Sequence, residues 1–407
     1  MVAMHSYNLD DVCEQITDGK HGDCINEVDS GFYFLSAKDI VNGRIVYENA
    51  RQITETDFLE THKRTRFEAF DILFTNSGTI GRMAIAPNVE LTYRSTFQKS
   101  VAILKPRKSL VDPRFLYYLL LAENSRLADF ASGTAQKNLL LKDLRNFRVS
   151  IPDRRTQCRI AEILSPYDDL IESNRRRIKI LEEMAQALYR EWFVLFRFPG
   201  HGTVELVDSS LGRIPQSWEW KKTTEAVSVN PRTSAPKETY KPHVPMDSLA
   251  TDSMLIGKVG MRKGNNGSKF KNADTLFARI TPCLENGKTA FVQFLSSDSD
   301  VAIGSTEFIV LRSKTVCPEY VYLMARSNEF RDNAIKSMSG ATGRQRVQEE
   351  CFEKFLIAQP DGETLRSFQE ITKPMFQLIH NLAMRNANLR RTRDLLLPGL
   401  LSGEIAV

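Results

Sequence analysis

Apolar positions recur at alternating intervals of four and three in two long stretches of the chain. The first runs Ile160, Leu164, Tyr167, Ile171, Asn174, Ile178, Leu181, Ala185, Leu188 and Trp192. The second runs Phe368, Ile371, Met375, Leu378, Leu382, Arg385, Leu389, Thr392 and Leu396. A 4-3 alternation held for about four heptads is the a/d seam of helices that pair along their length. Each helix would span about 50 Å at 1.5 Å per residue. The economical arrangement packs the two against each other; the alternative is two independent core helices, each lying on its own domain. Pro166 and Pro374 are each predicted to kink or restart a helix one to two turns in.

Elsewhere the pattern shortens to β-type runs. Asp71-Ile72-Leu73-Phe74, Met83-Ala84-Ile85 and Val101-Ala102-Ile103-Leu104 lie between turn signals such as Asn76-Ser77-Gly78 and Ala86-Pro87-Asn88. Thr275-Leu276-Phe277, Ala290-Phe291-Val292 and Phe308-Ile309-Val310-Leu311 repeat the style. Helical segments follow near residues 115–130 and 320–335. The mixture predicts an α+β chain.

The resemblance between halves extends to individual residues. Ile151-Pro152 returns as Gln359-Pro360, an offset of 359 − 151 = 208, and Pro166, Leu170, Arg177, Leu181 and Leu188 return at the same offset as Pro374, Leu378, Arg385, Leu389 and Leu396. Ser132-Gly133-Thr134 answers Ser339-Gly340-Ala341, and Asp112-Pro113-Arg114-Phe115 answers Cys317-Pro318-Glu319-Tyr320. A period this long belongs to a domain used twice, not to a solenoid. A pseudo-two-fold relation between the modules would make the helix pairing antiparallel, with the two domains set to read two stretches of a near-symmetric partner such as duplex DNA. The expected division is a domain over 1–150, a helix over 151–198, a polar Gly/Pro-punctuated linker over 199–212, a second domain over 213–358 and a second helix over 359–407.

Composition narrows the function classes. The 407 residues carry 55 Lys and Arg against 50 Asp and Glu, an excess of five, which permits a nucleic-acid partner without demanding one. Six scattered Cys form no CxxC pair and six His form no HExxH or HxH arrangement, so neither a zinc site nor a disulfide framework is predicted. The start lacks the form of a signal peptide, and the longest apolar run, residues 115–122, is too short to span a bilayer. The expected location is the cytoplasm.

Catalytic patterns fail on inspection. Asn286-Gly287-Lys288-Thr289 resembles the end of a phosphate-binding loop, but Pro282 stands where its first glycine would be. Asp112-Pro113-Arg114-Phe115 resembles the motif of amino-methyltransferases with Arg114 in place of the second proline, and no glycine-rich cofactor loop accompanies it. Pro360-Asp361 lacks the Glu-x-Lys of a metal-dependent nuclease. The expectation is a chain that binds, with no catalytic or metal-ligating residues and no cofactor of its own.

Longer strings carry a family resemblance. Ile160-Ala161-Glu162-Ile163-Leu164-Ser165, running into Asp168-Asp169-Leu170-Ile171 and Asn174-Arg175-Arg176, resembles the central region of type I restriction-modification specificity subunits. So do Ala187-Leu188-Tyr189-Arg190-Glu191-Trp192-Phe193, Leu211-Gly212-Arg213-Ile214-Pro215, Thr275-Leu276-Phe277-Ala278-Arg279-Ile280-Thr281-Pro282, Gly304-Ser305-Thr306-Glu307-Phe308 and Leu389-Arg390-Arg391-Thr392-Arg393-Asp394-Leu395-Leu396-Leu397-Pro398. The resemblance implies two α/β target-recognition domains related by the repeat and separated by a long antiparallel two-helix coiled coil. It implies a non-catalytic subunit that reads an asymmetric bipartite target in double-stranded DNA, the helices setting the spacer. Two methyltransferase subunits would dock and bring S-adenosylmethionine, with motor-nuclease subunits joining for restriction. The alternatives are a stand-alone two-headed DNA-binding protein or a protein-interaction scaffold.

Candidate DNA contacts follow from residue chemistry. Lys20 and His21 lie in the turn Asp18-Gly19-Lys20-His21-Gly22, where backbone can approach phosphate. Ser77, Thr79 and Arg82 surround Gly78 and Gly81. Arg262, Lys263, Asn265, Asn266, Lys269 and Lys271 form a basic, amide-rich loop, suited to phosphate and to guanine and adenine edges. Gln136, Lys137 and Asn138 in the first half, and Arg344, Gln345 and Arg346 in the second, differ where the flanking glycine turns agree. Arg175, Arg176 and Arg177 read as a solvated or partner-facing helix surface.

Overall fold

Local chemistry sets where the long helices begin. In this computed structural model, which describes residues 4–131, 138–341 and 343–407, they cover Arg154–Tyr189 and Gly362–Ser402. Asp153 caps the first, accepting from the Thr156 amide at 3.1 Å and its hydroxyl at 2.7 Å. Asp361 caps the second, accepting from the Thr364 amide at 2.8 Å and its hydroxyl at 3.0 Å. Each carboxylate satisfies donors that have no partner in the first turn. The Pro-Asp string that invited comparison with a nuclease is therefore a helix cap. Asp112 does the same for the helix Pro113–Ala122, accepting from Arg114 and Phe115 amides at 3.0 and 3.1 Å with Pro113 in the first turn. Of the kink or restart expected at Pro166 and Pro374, the restart does not occur: both long helices continue through these residues.

The chain divides into two compact units, Met1–Leu170 with Asn388–Val407, and Ile171–Ala387. Unit one holds a four-stranded antiparallel sheet in the order Cys13–Asp18, Val101–Pro106, Ile72–Thr75, Met83–Ile85. A smaller mixed sheet orders Arg51–Gln52, Tyr33–Leu35, Ser95–Phe97, the last pair parallel. Near the end of the domain, Arg148–Ile151 pairs back onto His5–Asn8. The core gathers Ile72, Phe74, Leu104, Phe115, Leu116 and Leu120 with Ile160 and Leu164 of the first long helix and Leu397 and Leu400 of the second.

Unit two has a four-stranded antiparallel sheet in the order Val227–Val229, Phe308–Ser313, Thr275–Ala278, Thr289–Phe291. Its mixed sheet orders Gly260–Lys263, Tyr240–Val244, Ala302–Gly304, Ser268–Phe270, and Leu356–Gln359 pairs with Glu219–Lys222. Trp192 and Phe193 meet Phe368 with ring centroids 5.6 and 4.7 Å apart, in a core that also takes Ile178, Ala185, Tyr189, Phe376, Ile379 and Leu382.

An acid–base pair recurs at one place in each antiparallel sheet. Lys105 Nζ lies 2.6 Å from Asp71, whose carboxylate also accepts the Glu68 amide. Arg312 forks onto Asp274 at 2.6 and 2.7 Å, and Asp274 accepts the Lys271 amide. Burial pushes the Asp71 carboxyl up to about 6 against the pull of Lys105.

Within unit two the long helices run antiparallel, because Trp192 meets Phe368 while Asn174 meets Asn386. Asn174 donates to Asn386 at 2.9 Å, and Asn386 donates to the Ile171 carbonyl at 3.4 Å. In unit one Asp168 accepts from the Tyr118 hydroxyl at 2.6 Å and from Arg393. The first seam places Ile160, Leu164, Ile171 and Ile178 in the cores, with Tyr167, Leu181 and Leu188 half-buried. The second needs correcting at alternate positions. Phe368 and Leu382 are buried and Met375, Leu389 and Leu396 half-buried, but Ile371 is 45% and Leu378 37% exposed, while Thr372 and Ile379 are fully buried. The inward row is Thr372, Ile379, Asn386 and Arg393, one residue later than expected. Three of these four are polar, so the apolar pattern drew the register to their neighbours.

The Gly/Pro-punctuated segment over 199–212 is tied down at several points. Phe198 stacks on Trp218 at 5.2 Å, Leu206–Val207 pairs with Ile214–Pro215, and Trp220 donates to Ser209 at 2.9 Å, so aromatic anchors hold it within unit two. Among the described residues no helix is long and apolar enough to cross a membrane.

Candidate nucleic-acid interface

Each unit brings a turn, a strand start and a returning loop together through the same backbone hydrogen bonds. In unit one the strand Ile72–Thr75 ends at Asn76, whose amide donates to the Ser100 carbonyl at 3.1 Å and whose carbonyl accepts from Leu139 at 2.8 Å. Ser77 and Asn138 form the adjacent bridge. In unit two the strand Thr275–Ala278 ends at Arg279, which donates to the Glu307 carbonyl at 3.0 Å and accepts from Val347 at 2.9 Å. Ile280 and Arg346 form the bridge. Further along each turn, Arg82 reaches the Ala37 carbonyl at 3.3 Å and Lys288 the Met246 carbonyl at 3.1 Å, each the first residue of a short 3-10 turn.

On this frame the side chains differ. Asn76 is 8% exposed and its Oδ1 has no hydrogen-bond partner. Arg279 has a buried Nε without a partner, 3.7 Å from Glu307, and its Nη1 lies 4.0 Å from Glu349. Arg346 donates to Glu307 from Nε at 3.0 and 3.1 Å and from Nη2 at 2.7 Å. That guanidinium holds the Glu307 carboxyl below the usual carboxylate range. Arg279 lines an open groove of about 580 Å³ with Asn230, Thr233, Ser234, Lys269 and Thr306.

The remaining candidates scatter. Lys20 is ion-paired within its own unit, 2.8 Å from Asp57 and 3.0 Å from Glu60, whose hydrogen bonds raise its pKa. His21 is exposed beside Asp18 at 2.9 Å. Thr79 and Arg82 are exposed on the turn after Ser77. Arg262, Lys263, Asn265, Asn266, Lys269 and Lys271 are not one loop. Arg262 and Lys263 end one edge strand, Lys269 sits on the opposite edge strand, and residues 264–267 join them. Lys263 meets Glu238 at 3.1 Å, and Lys271 serves the Asp274 turn. The join needs glycine at its end: Gly267 has φ +102° and a Cβ there would stand 1.9 Å from the Gly304 carbonyl oxygen. Arg344 is exposed, and Gln345 exchanges hydrogen bonds with Thr281. Gln136 and Lys137 lie outside the described residues.

Sequence reasoning passed over Asn76, Arg279 and Glu307. The signal was present, since Asn76 abuts a glycine turn and the other two sit in strings quoted for their resemblance. What no sequence pattern indicated was that Glu307 faces Arg346. Among the described residues no three His, Cys, Asp or Glu side chains converge as a metal ion would need.

Comparison with known proteins agrees with this architecture. The type I restriction modification DNA specificity domain matches residues 1–183. The type I restriction enzyme MjaIX specificity subunit of Methanocaldococcus jannaschii is 25% identical over 92% of this chain and 87% of its own length. The HindI specificity subunit of Haemophilus influenzae is 22% identical over 91% of this chain and 94% of its own. The fold resembles a crystal structure of the type I restriction-modification S subunit from M. genitalium, with TM-score 0.57 and 14% identity over 98% of this chain and 96% of that one. Residues 1–183 thus match the type I restriction modification DNA specificity domain, and over most of its length the chain is similar to type I restriction enzyme specificity subunits.

Proposed function

We propose that each unit reads one half of an asymmetric bipartite duplex target and that the chain itself performs no chemistry. The observation that carries this reading is the shared backbone frame holding Asn76 and Asn138 in one unit and Arg279, Glu307 and Arg346 in the other. Equal frames with unequal polar side chains suit two related heads with different sequence preferences. The long helices set the spacer between half-sites and dock two methyltransferase subunits, which bring S-adenosylmethionine, with motor-nuclease subunits completing the restriction complex. Exposed apolar side chains on the helices support docking: Ile163, Leu170 and Leu395 in unit one, and Ile180, Met184 and Met384 in unit two.

The test is domain replacement. Substituting residues 1–150 with the corresponding domain of another specificity subunit, then mapping methylated sites genome-wide, should change one half-site and leave the other intact. Changes in both halves would refute independent reading. Methyl transfer by the purified chain alone would refute the non-catalytic assignment.

A further inference from the structure

The two units treat their framework and their loop cluster in opposite ways. At the framework position chemistry is kept: Lys105 with Asp71 and Arg312 with Asp274, each aspartate also capping the turn three residues before it. At the loop cluster the backbone hydrogen bonds are kept but the chemistry is not. Asn76, Ser100 and Asn138 stand where unit two has Arg279, Glu307 and Arg346. Two of the buried side-chain polar atoms without a partner among the described residues, Asn76 Oδ1 and Arg279 Nε, fall at the same place in this frame. Asn76 Oδ1 has no hydrogen-bond partner and Arg279 Nε has only Glu307 at 3.7 Å, so each side chain retains hydrogen-bonding capacity that a base edge would take up.

We infer that these matched positions decide which base each head prefers: Arg346 and Arg279 direct unit two to a guanine edge, and Asn138 and Asn76 direct unit one to an adenine edge. The inference rests on the two-headed reading proposed above. A guanidinium forks onto the O6 and N7 acceptors of guanine, while a carboxamide matches the acceptor and donor of adenine N7 and N6. Glu307 is a positioning residue. It holds Arg346 by the Nε–Nη2 edge and so presents the other edge of the fork. A half-buried ion pair near the surface adds only modestly to stability, so orientation is the main thing this carboxylate supplies.

The experiment uses the full chain and duplex DNA. Selection from a randomised duplex library gives the preferred bipartite sequence, and titration against single-base changes measures discrimination at each position. The wild-type chain should favour one guanine in one half-site by roughly 5- to 150-fold over other bases. Arg346→Lys keeps the charge but not the fork, so it should reduce that preference several-fold while the other half-site is read as before. Glu307→Gln should weaken discrimination at the same base pair, a result that a purely structural ion pair would not produce. Asn138→Ala should act on an adenine in the opposite half-site. If every variant selects the wild-type sequence in full, the inference is overturned while the two-headed reading stands. Equal loss in both halves from Arg346→Lys, with an unchanged thermal melt, would also overturn it. A wild-type chain that enriches no bipartite sequence would overturn both.

Discussion

The Asn174–Asn386 hydrogen bond invites a direct measurement of what a polar pair does inside the helix seam. The two side chains are 4% and 3% exposed and 2.9 Å apart, and Asn386 adds a bond to the Ile171 carbonyl at 3.4 Å. Asn386→Ala removes the acceptor of a buried donor, which should destabilise unit two by about 1–3 kcal/mol. Asn174→Ala should cost about as much for the same reason. The double variant loses the pair but leaves no orphan, so it should cost less than the sum, with a coupling of about 1 kcal/mol. Replacing both by Leu should be neutral or stabilising, at the expense of the feature that favours one helix register over others. The assay is urea unfolding followed by tryptophan fluorescence. Trp192, Trp218 and Trp220 are the three tryptophans of the chain and all lie in unit two, so the signal reports that unit alone. Single-variant losses that add within about 0.5 kcal/mol in the double would refute the coupling. A double-Leu variant as unstable as either single alanine would refute the account of the pair as a specificity device.

Other expectations follow from the same geometry. Asp361→Ala should cost about 0.5–2 kcal/mol, because the Glu363 and Thr364 amides lose their acceptor; an unchanged unfolding midpoint would argue against the cap. Four residues inserted after the exposed Asp169, between the part of the first helix packed in unit one and the part packed in unit two, add about 6 Å of helix. With ~3.4 Å per base pair, methylated-site mapping should show a spacer longer by one or two base pairs and unchanged half-sites; an unchanged spacer in a folded, active variant would mean the helices do not set it. Arg346 holds the Glu307 carboxyl below its ordinary range, so its contribution to stability is present above that range and lost as the pH falls through the lowered value. The melting difference between wild type and Glu307→Gln should therefore be flat from about pH 8 to 5.5 and shrink below about pH 4. A difference that grew on acidification would refute the pairing.

The periodicity of residues 160–192 and 368–396 acts over a few turns of chain, whereas the capping role of the Pro-Asp strings emerged only in the structure. The long helices were therefore legible in sequence. A heptad pattern, however, is read by its apolar members, and the inward row of the second helix contains Thr372, Asn386 and Arg393. The partners across the fold, Asn174 and Asp168, make Asn386 and Arg393 fit for burial, so tertiary structure decided the register. Basic residues posed the same problem at the candidate interface. In sequence Lys20 and Arg346 look alike as free cations, yet Lys20 is held by Asp57 and Glu60 from a helix about 40 residues away. Arg346 keeps one edge of its guanidinium beyond Glu307, a residue 39 positions upstream. Charge type is a property of the residue, but whether that charge is available depends on which carboxylates the fold brings beside it.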